Sequence, residues 1–141
     1  MIRNDWAVIC RDYLLHNNEP ILWRVLNRLT VPFPLSNELT TINLKSLLHF
    51  VSFWVIEDEA DQKIYPAVAR WLAPGGEKIL RETPIALDFR HSRRFIYQLR
   101  IEVLDIVGPG HYEYHIEVPG IADWGILSRN SFFITNEVQN E

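Results

Sequence analysis

From residue 111 to residue 118 the chain alternates without a break. Tyr112, Tyr114, Ile116 and Val118 take one parity, and His111, Glu113, His115 and Glu117 the other. Successive side chains of a strand point to opposite faces, so this period of two predicts a strand with one buried and one solvated face. Turn sequences bracket it, Gly108-Pro109-Gly110 before and Pro119-Gly120 after.

The same reading extends in both directions. Residues 93–107 carry Phe95, Tyr97, Leu99, Ile101 and Val103 on one parity, predicting a long strand that pairs with 112–118 through the tight glycine-proline-glycine turn. Residues 47–56 are apolar on both parities and rich in aromatic and branched side chains, the composition of a central strand. The acidic cluster Glu57-Asp58-Glu59-Ala60-Asp61 reads as a hairpin tip, with residues 64–72 returning and setting Tyr65, Ala67, Ala69 and Trp71 inward. Gly75 and Gly76 mark the next turn, and Pro84 interrupts a weaker strand over 79–89 and, with Pro66, places strand segments at sheet edges. Nearer the N-terminus, residues 6–15 predict a buried strand, Asn17-Asn18-Glu19-Pro20 a turn, and 21–31 one strand with Trp23, Val25, Asn27 and Leu29 on a shared parity. Pro32 and Pro34 stop it, because proline lacks the ladder donor. A loop over 36–43, with room for one helical turn at Ser36, then crosses between sheets. A loop over 121–131 leads to a short closing strand at 132–135. The expected fold is all-β: an immunoglobulin-like antiparallel β-sandwich of seven to eight strands with at most one short helical turn. Residues 1–136 form its single domain and 137–141 a frayed acidic tail.

Composition narrows the function classes. A chain of 141 residues with 48% hydrophobic and 12% aromatic content builds one packed core. The lone Cys10 sits in an apolar run, where a buried, inert thiol in the reducing cytoplasm is expected. Nothing approaches the run of roughly 18 apolar residues a membrane helix needs, and the opening Met1-Ile2-Arg3-Asn4-Asp5 lacks the pattern of a signal peptide. A net charge of -4 argues against a nucleic-acid partner, which calls for a basic excess.

Several residues suggest chemistry. His111 and His115 are four apart, but on a strand that is about 13 Å, too far to share one metal ion, so both are expected to face solvent and no metal is assigned. A neighbouring His91 or Asp105 would be needed to complete a site. The acidic tip lacks the glycine and ligand spacing of a calcium loop, Gly75-Gly76-Glu77-Lys78 lacks the first glycine of a phosphate loop, and Asp88, His91 and Ser92 lack a nucleophile elbow. Arg90, His91, Arg93 and Arg94 are four cationisable groups in five positions, which repel one another unless separated or partnered, and a partner's acidic face explains them as readily as a nucleic acid or phosphate. Trp124, beside Asp123 in an end loop, is placed to stack a ligand or anchor a partner.

An early apolar strand (Ala7-Val8-Ile9-Cys10-Arg11-Asp12-Tyr13), a second strand ending in Val31-Pro32-Phe33-Pro34, the segment from Val55-Ile56-Glu57-Asp58 to Lys63-Ile64-Tyr65, and Pro109-Gly110-His111-Tyr112-Glu113 followed by Pro119-Gly120 and Phe132 span most of the chain. Together they resemble an uncharacterised family of small bacterial single-domain immunoglobulin-like β-sandwich proteins. That resemblance implies the fold and carries over no catalytic residue and no cofactor. The expected function is a non-enzymatic, cytoplasmic protein-binding or assembly module that meets a protein partner or a second copy of itself, with Arg90, His91, Arg93, Arg94 and Trp124 as binding residues. The alternative is a small-ligand or carbohydrate-recognition sandwich using Trp124 and the His111/His115 face.

Overall fold

Strand periodicity governs almost every element of the computed structural model, which describes residues 2–16, 19–120 and 126–136. The nine strands among the described residues, where seven to eight were expected, are β1 (Ile2–His16), β2 (Glu19–Leu26), β3 (Arg28–Val31), β4 (Thr40–Ile56), β5 (Ile64–Leu72), β6 (Ile79–Asp88), β7 (Arg94–Ile106), β8 (Gly110–Glu117) and β9 (Ile126–Asn136). They form a four-stranded sheet ordered β2-β1-β4-β7 and a five-stranded sheet ordered β3-β9-β8-β5-β6. The expected all-β class stands. Among the described residues the only helical element is a 3-10 turn at Glu59–Asp61, started by the Asp58 carboxylate accepting from the Ala60 N–H; the helical turn expected at Ser36 is absent, residues 34–39 being irregular.

The apolar run at 47–56 is central, as its composition requires: β4 lies between β1 and β7. Both of its edges are therefore filled, and β5 has nowhere to pair with it. The acidic cluster is accordingly a crossover into the other sheet and not a hairpin tip. The same correction applies to β7 and β8. They follow one another across Gly108-Pro109-Gly110, yet β7 pairs with β4 and β8 pairs with β5 and β9. Parity within a strand reports which face is apolar; it does not report which sheet that face belongs to.

Further boundaries move, beginning with residues 40–43, expected as loop, which open β4 and pair with β7. The expected strand at 21–31 divides at Asn27, where β2 leaves its ladder with β1 and β3 joins the other sheet, parallel to β9. The Asn27 carbonyl accepts from the Phe133 N–H at 2.8 Å and anchors that switch. This parallel pair makes the five-stranded sheet mixed where a fully antiparallel one was expected. Residues 126–131, expected as loop, belong to β9, which pairs with β8 from Gly110↔Ile134 to Glu117↔Ile126.

The core lies between the sheets. Phe50 and Trp54 come from β4, Trp71 from β5, Tyr112, Tyr114 and Ile116 from β8, and Phe132 and Ile134 from β9. An aromatic column joins the layers: Phe50 stacks on Tyr114 at 4.9 Å, and Trp71 on Tyr112 at 5.1 Å. The Trp71 indole N–H donates across the interface to the Asp105 carbonyl at 2.8 Å. At the corner between β7 and β8 the Tyr112 hydroxyl accepts from the Val107 N–H at 2.8 Å and donates to the Gly108 carbonyl at 2.5 Å. Gly110, with φ of +144°, lets β8 start against the β5–β6 turn, since a Cβ there would stand 2.9 Å from the Pro74 Cγ.

Removing the corner hydroxyl tests how much this turn contributes. Tyr112→Phe keeps the buried ring but orphans the Val107 N–H, and an expected loss of about 1–3 kcal/mol should appear in urea denaturation. An unchanged midpoint would show that the ring alone holds the corner.

Candidate functional site

Cross-strand register builds the outer face of the five-stranded sheet in rows. One row runs Arg28 on β3, Phe133 on β9 and His111 on β8. Another runs Arg129 on β9, His115 on β8, Arg70 on β5 and Glu82 on β6. Ser131 and Glu113, themselves paired, lie between the two rows. In the first row the Arg28 guanidinium carbon stands 5.1 Å from the centroid of the Phe133 ring, and the His111 ring packs on the same phenyl at 4.7 Å. With Asn27 and Ser131 these side chains line a shallow concavity of about 590 Å³.

The second row lines a neighbouring concavity of about 470 Å³, closed on one side by the Gly75-Gly76 turn. Here Arg70 and His115 are already paired. Arg70 bridges Glu82 at 3.0 Å and also pairs with Glu117, while the His115 Nε2 meets the Glu113 carboxylate. His115 is only 8% exposed, which corrects the expectation that both histidines face solvent. Parity does put it on the outer face, but long neighbours on three strands cover it. His111, at the sheet's other end, is exposed.

A third feature lies in the cleft between β6 and β7, the edge strands on one side of the molecule. Asp105, named from the sequence as a possible partner for the histidines, instead receives the Arg81 Nε at 2.8 Å and the Thr41 hydroxyl at 2.7 Å. Burial alone would raise its carboxyl; the hydrogen bonds from Arg81 and Thr41 and the Arg81 charge outweigh that and hold it below its ordinary value of 3.8. Tyr114 lines the same cleft, and burial moves its phenol far in the opposite direction, upward.

The expected arginine group is exposed in the β6–β7 connection and the start of β7, and it is largely partnered. Arg90 closes a two-pronged pair on Asp88, with contacts of 3.0 and 2.9 Å, and holds that carboxyl down to about 2. Arg93 reaches Glu59 at 3.2 Å and the Glu57 carbonyl at 3.3 Å. The acidic crossover and the basic connection thus answer each other, an arrangement visible only once both sheets are assembled. His91 and Arg94 are exposed beside them. Trp124 lies outside the described residues. Sequence reasoning missed Arg28, Phe133 and Arg129; their only signal was outward parity on strands whose boundaries were set too short or too long.

The Asp105 pair generates a pH prediction. Its folded pKa lies below the unfolded one, so the contribution is present above about pH 4 and is lost as pH falls through the lower folded value. Asp105→Asn should flatten the decline in urea midpoint below about pH 4; a decline as steep as in the parent chain would assign acid sensitivity elsewhere. Compared with known proteins, the chain matches no protein-family model, no curated protein and no solved structure.

Proposed function

We propose that this chain is a non-enzymatic protein-binding or assembly module built on an immunoglobulin-like sandwich and working in the cytoplasm. Three features support the architecture: the corner tyrosine Tyr112, the buried Trp71 on the neighbouring strand β5, and a chain path that changes sheet between β4 and β5 and between β7 and β8. Such corners and a core tryptophan accompany sandwiches of this type. The buried Cys10 fits a reducing compartment. Among the described residues no helix is long and apolar enough to cross a membrane.

The observation that carries the binding reading is the outer face of the five-stranded sheet. It presents a half-buried aromatic ring between two nitrogen-rich side chains, beside a second concavity framed by Arg70 and Arg129. Arginine and aromatic side chains are the residue types that anchor protein interfaces. The Arg90 to Arg94 segment adds a second exposed contact region. A small-ligand or carbohydrate reading draws on the same His111–Phe133 platform, where a sugar ring would stack.

Native-source copurification tests the main reading. Tagged protein should retain a partner, or a second copy by light scattering, and the Phe133→Asp variant should lose it with little change in melting temperature. A strictly monomeric chain that retains nothing would overturn the reading. A glycan array that binds the parent and not His111→Ala would favour the alternative.

A further inference from the structure

Six arginines of this molecule share a habit that Arg28, like Arg94 and Arg129, departs from. Arg3, Arg70, Arg81, Arg90, Arg93 and Arg100 each pair with a carboxylate of the chain itself. Arg28 pairs with none among the described residues; its guanidinium lies over the Phe133 ring. Its concavity is lined by Asn27, Arg28, His111, Ser131 and Phe133, a set with donors on every polar member and no acid, in a chain that carries 18 acidic residues.

We infer that this concavity is a carboxylate-binding site for an acidic side chain of a partner protein. A guanidinium stacked on a ring is held with its N–H edge free, and that edge matches a carboxylate in a two-pronged pair. Phe133 orients the fork from one side, and His111 packs against the other part of the same ring, so the donors are fixed before the ligand arrives. The Ser131 hydroxyl and the Asn27 amide supply further donors. The phenyl face meets the methylenes of a glutamate or an apolar neighbour in the partner's chain, a contact that an inorganic anion cannot make. With Arg28 as the site's one permanent cation, the charge balance fits a monoanionic carboxylate better than a phosphate dianion. The inference rests on the protein-binding reading and gives it a chemistry.

Fluorescence anisotropy with a labelled peptide of alternating glutamate and leucine tests it on the full chain. The same peptide with glutamine in place of glutamate should bind at least about tenfold more weakly, as should the glutamate peptide to Arg28→Ala, because each change removes a charge-assisted pair. Arg28→Lys retains the charge without the fork and should recover only part of the loss. Phe133→Leu, which preserves apolar packing, should weaken binding by releasing the guanidinium. Equal affinity for the glutamate and glutamine peptides overturns the inference, as does undiminished binding by a folded Arg28→Ala. Inorganic phosphate that displaces the peptide at equal concentration overturns the assignment to a peptide carboxylate. Failure of these peptides together with capture of a native partner through Phe133 would remove the carboxylate assignment and leave the protein-binding reading standing.

Discussion

The hydrogen bond from the Trp71 indole to the Asp105 carbonyl is the constraint on which the layering of this molecule depends. An indole N–H buried without a partner is costly, and here the nearest acceptor is on the other sheet. Satisfying it draws the edge strand β7 toward β5 and fixes the depth at which the Trp71 ring sits against Tyr112 and Tyr114. Arg81 and Thr41 then hold the same residue by its side chain. One aspartate on β7 therefore ties in β4, β5 and β6, and the column of rings beside it takes up the remaining space between the sheets.

Outside that core the surface is organised by pairing across strands. Arg70 lies between Glu82 and Glu117, Arg90 against Asp88, and Arg93 against Glu59. Each such pair is worth little in exposed surroundings, but together they orient long side chains and lower the number of uncommitted charges. Arg28 differs by resting on a ring, which leaves its polar edge unspent. The contrast between paired and stacked guanidinium groups is what sets the proposed site apart from the solvated surface of the same sheet.

Much of the fold was legible because strand parity is a local property. The inward set Tyr65, Ala67, Ala69 and Trp71 is buried, as is the set Tyr112, Tyr114, Ile116 and Val118. Pro84 does lie on an edge strand, and Pro66, though in an interior strand, falls beyond the part of β5 that β8 reaches. The connections were not legible, since a turn between two alternating strands looks the same whether they pair or face each other across a core. Burial of His115 was hidden for a related reason: it depends on Glu113, Arg70 and Arg129, and two of these come from other strands. The row of Arg28, Phe133 and His111 draws on three strands, two of them with boundaries that shift once pairing is known. No local pattern in the sequence reports a site assembled by register alone.

The parallel ladder between β3 and β9 gives the face that carries Arg28 and Phe133 an unusual place in the life of the chain. β9 follows every other described strand, and its docking between β3 and β8 completes the five-stranded sheet. Long-range pairings of this kind form slowly, after local structure is in place. Arg28 is synthesised early but has no ring to rest on until Phe133 arrives. During synthesis the nascent protein thus lacks its stacked arginine, and the site proposed around Arg28 would exist only in chains that have closed their last seam.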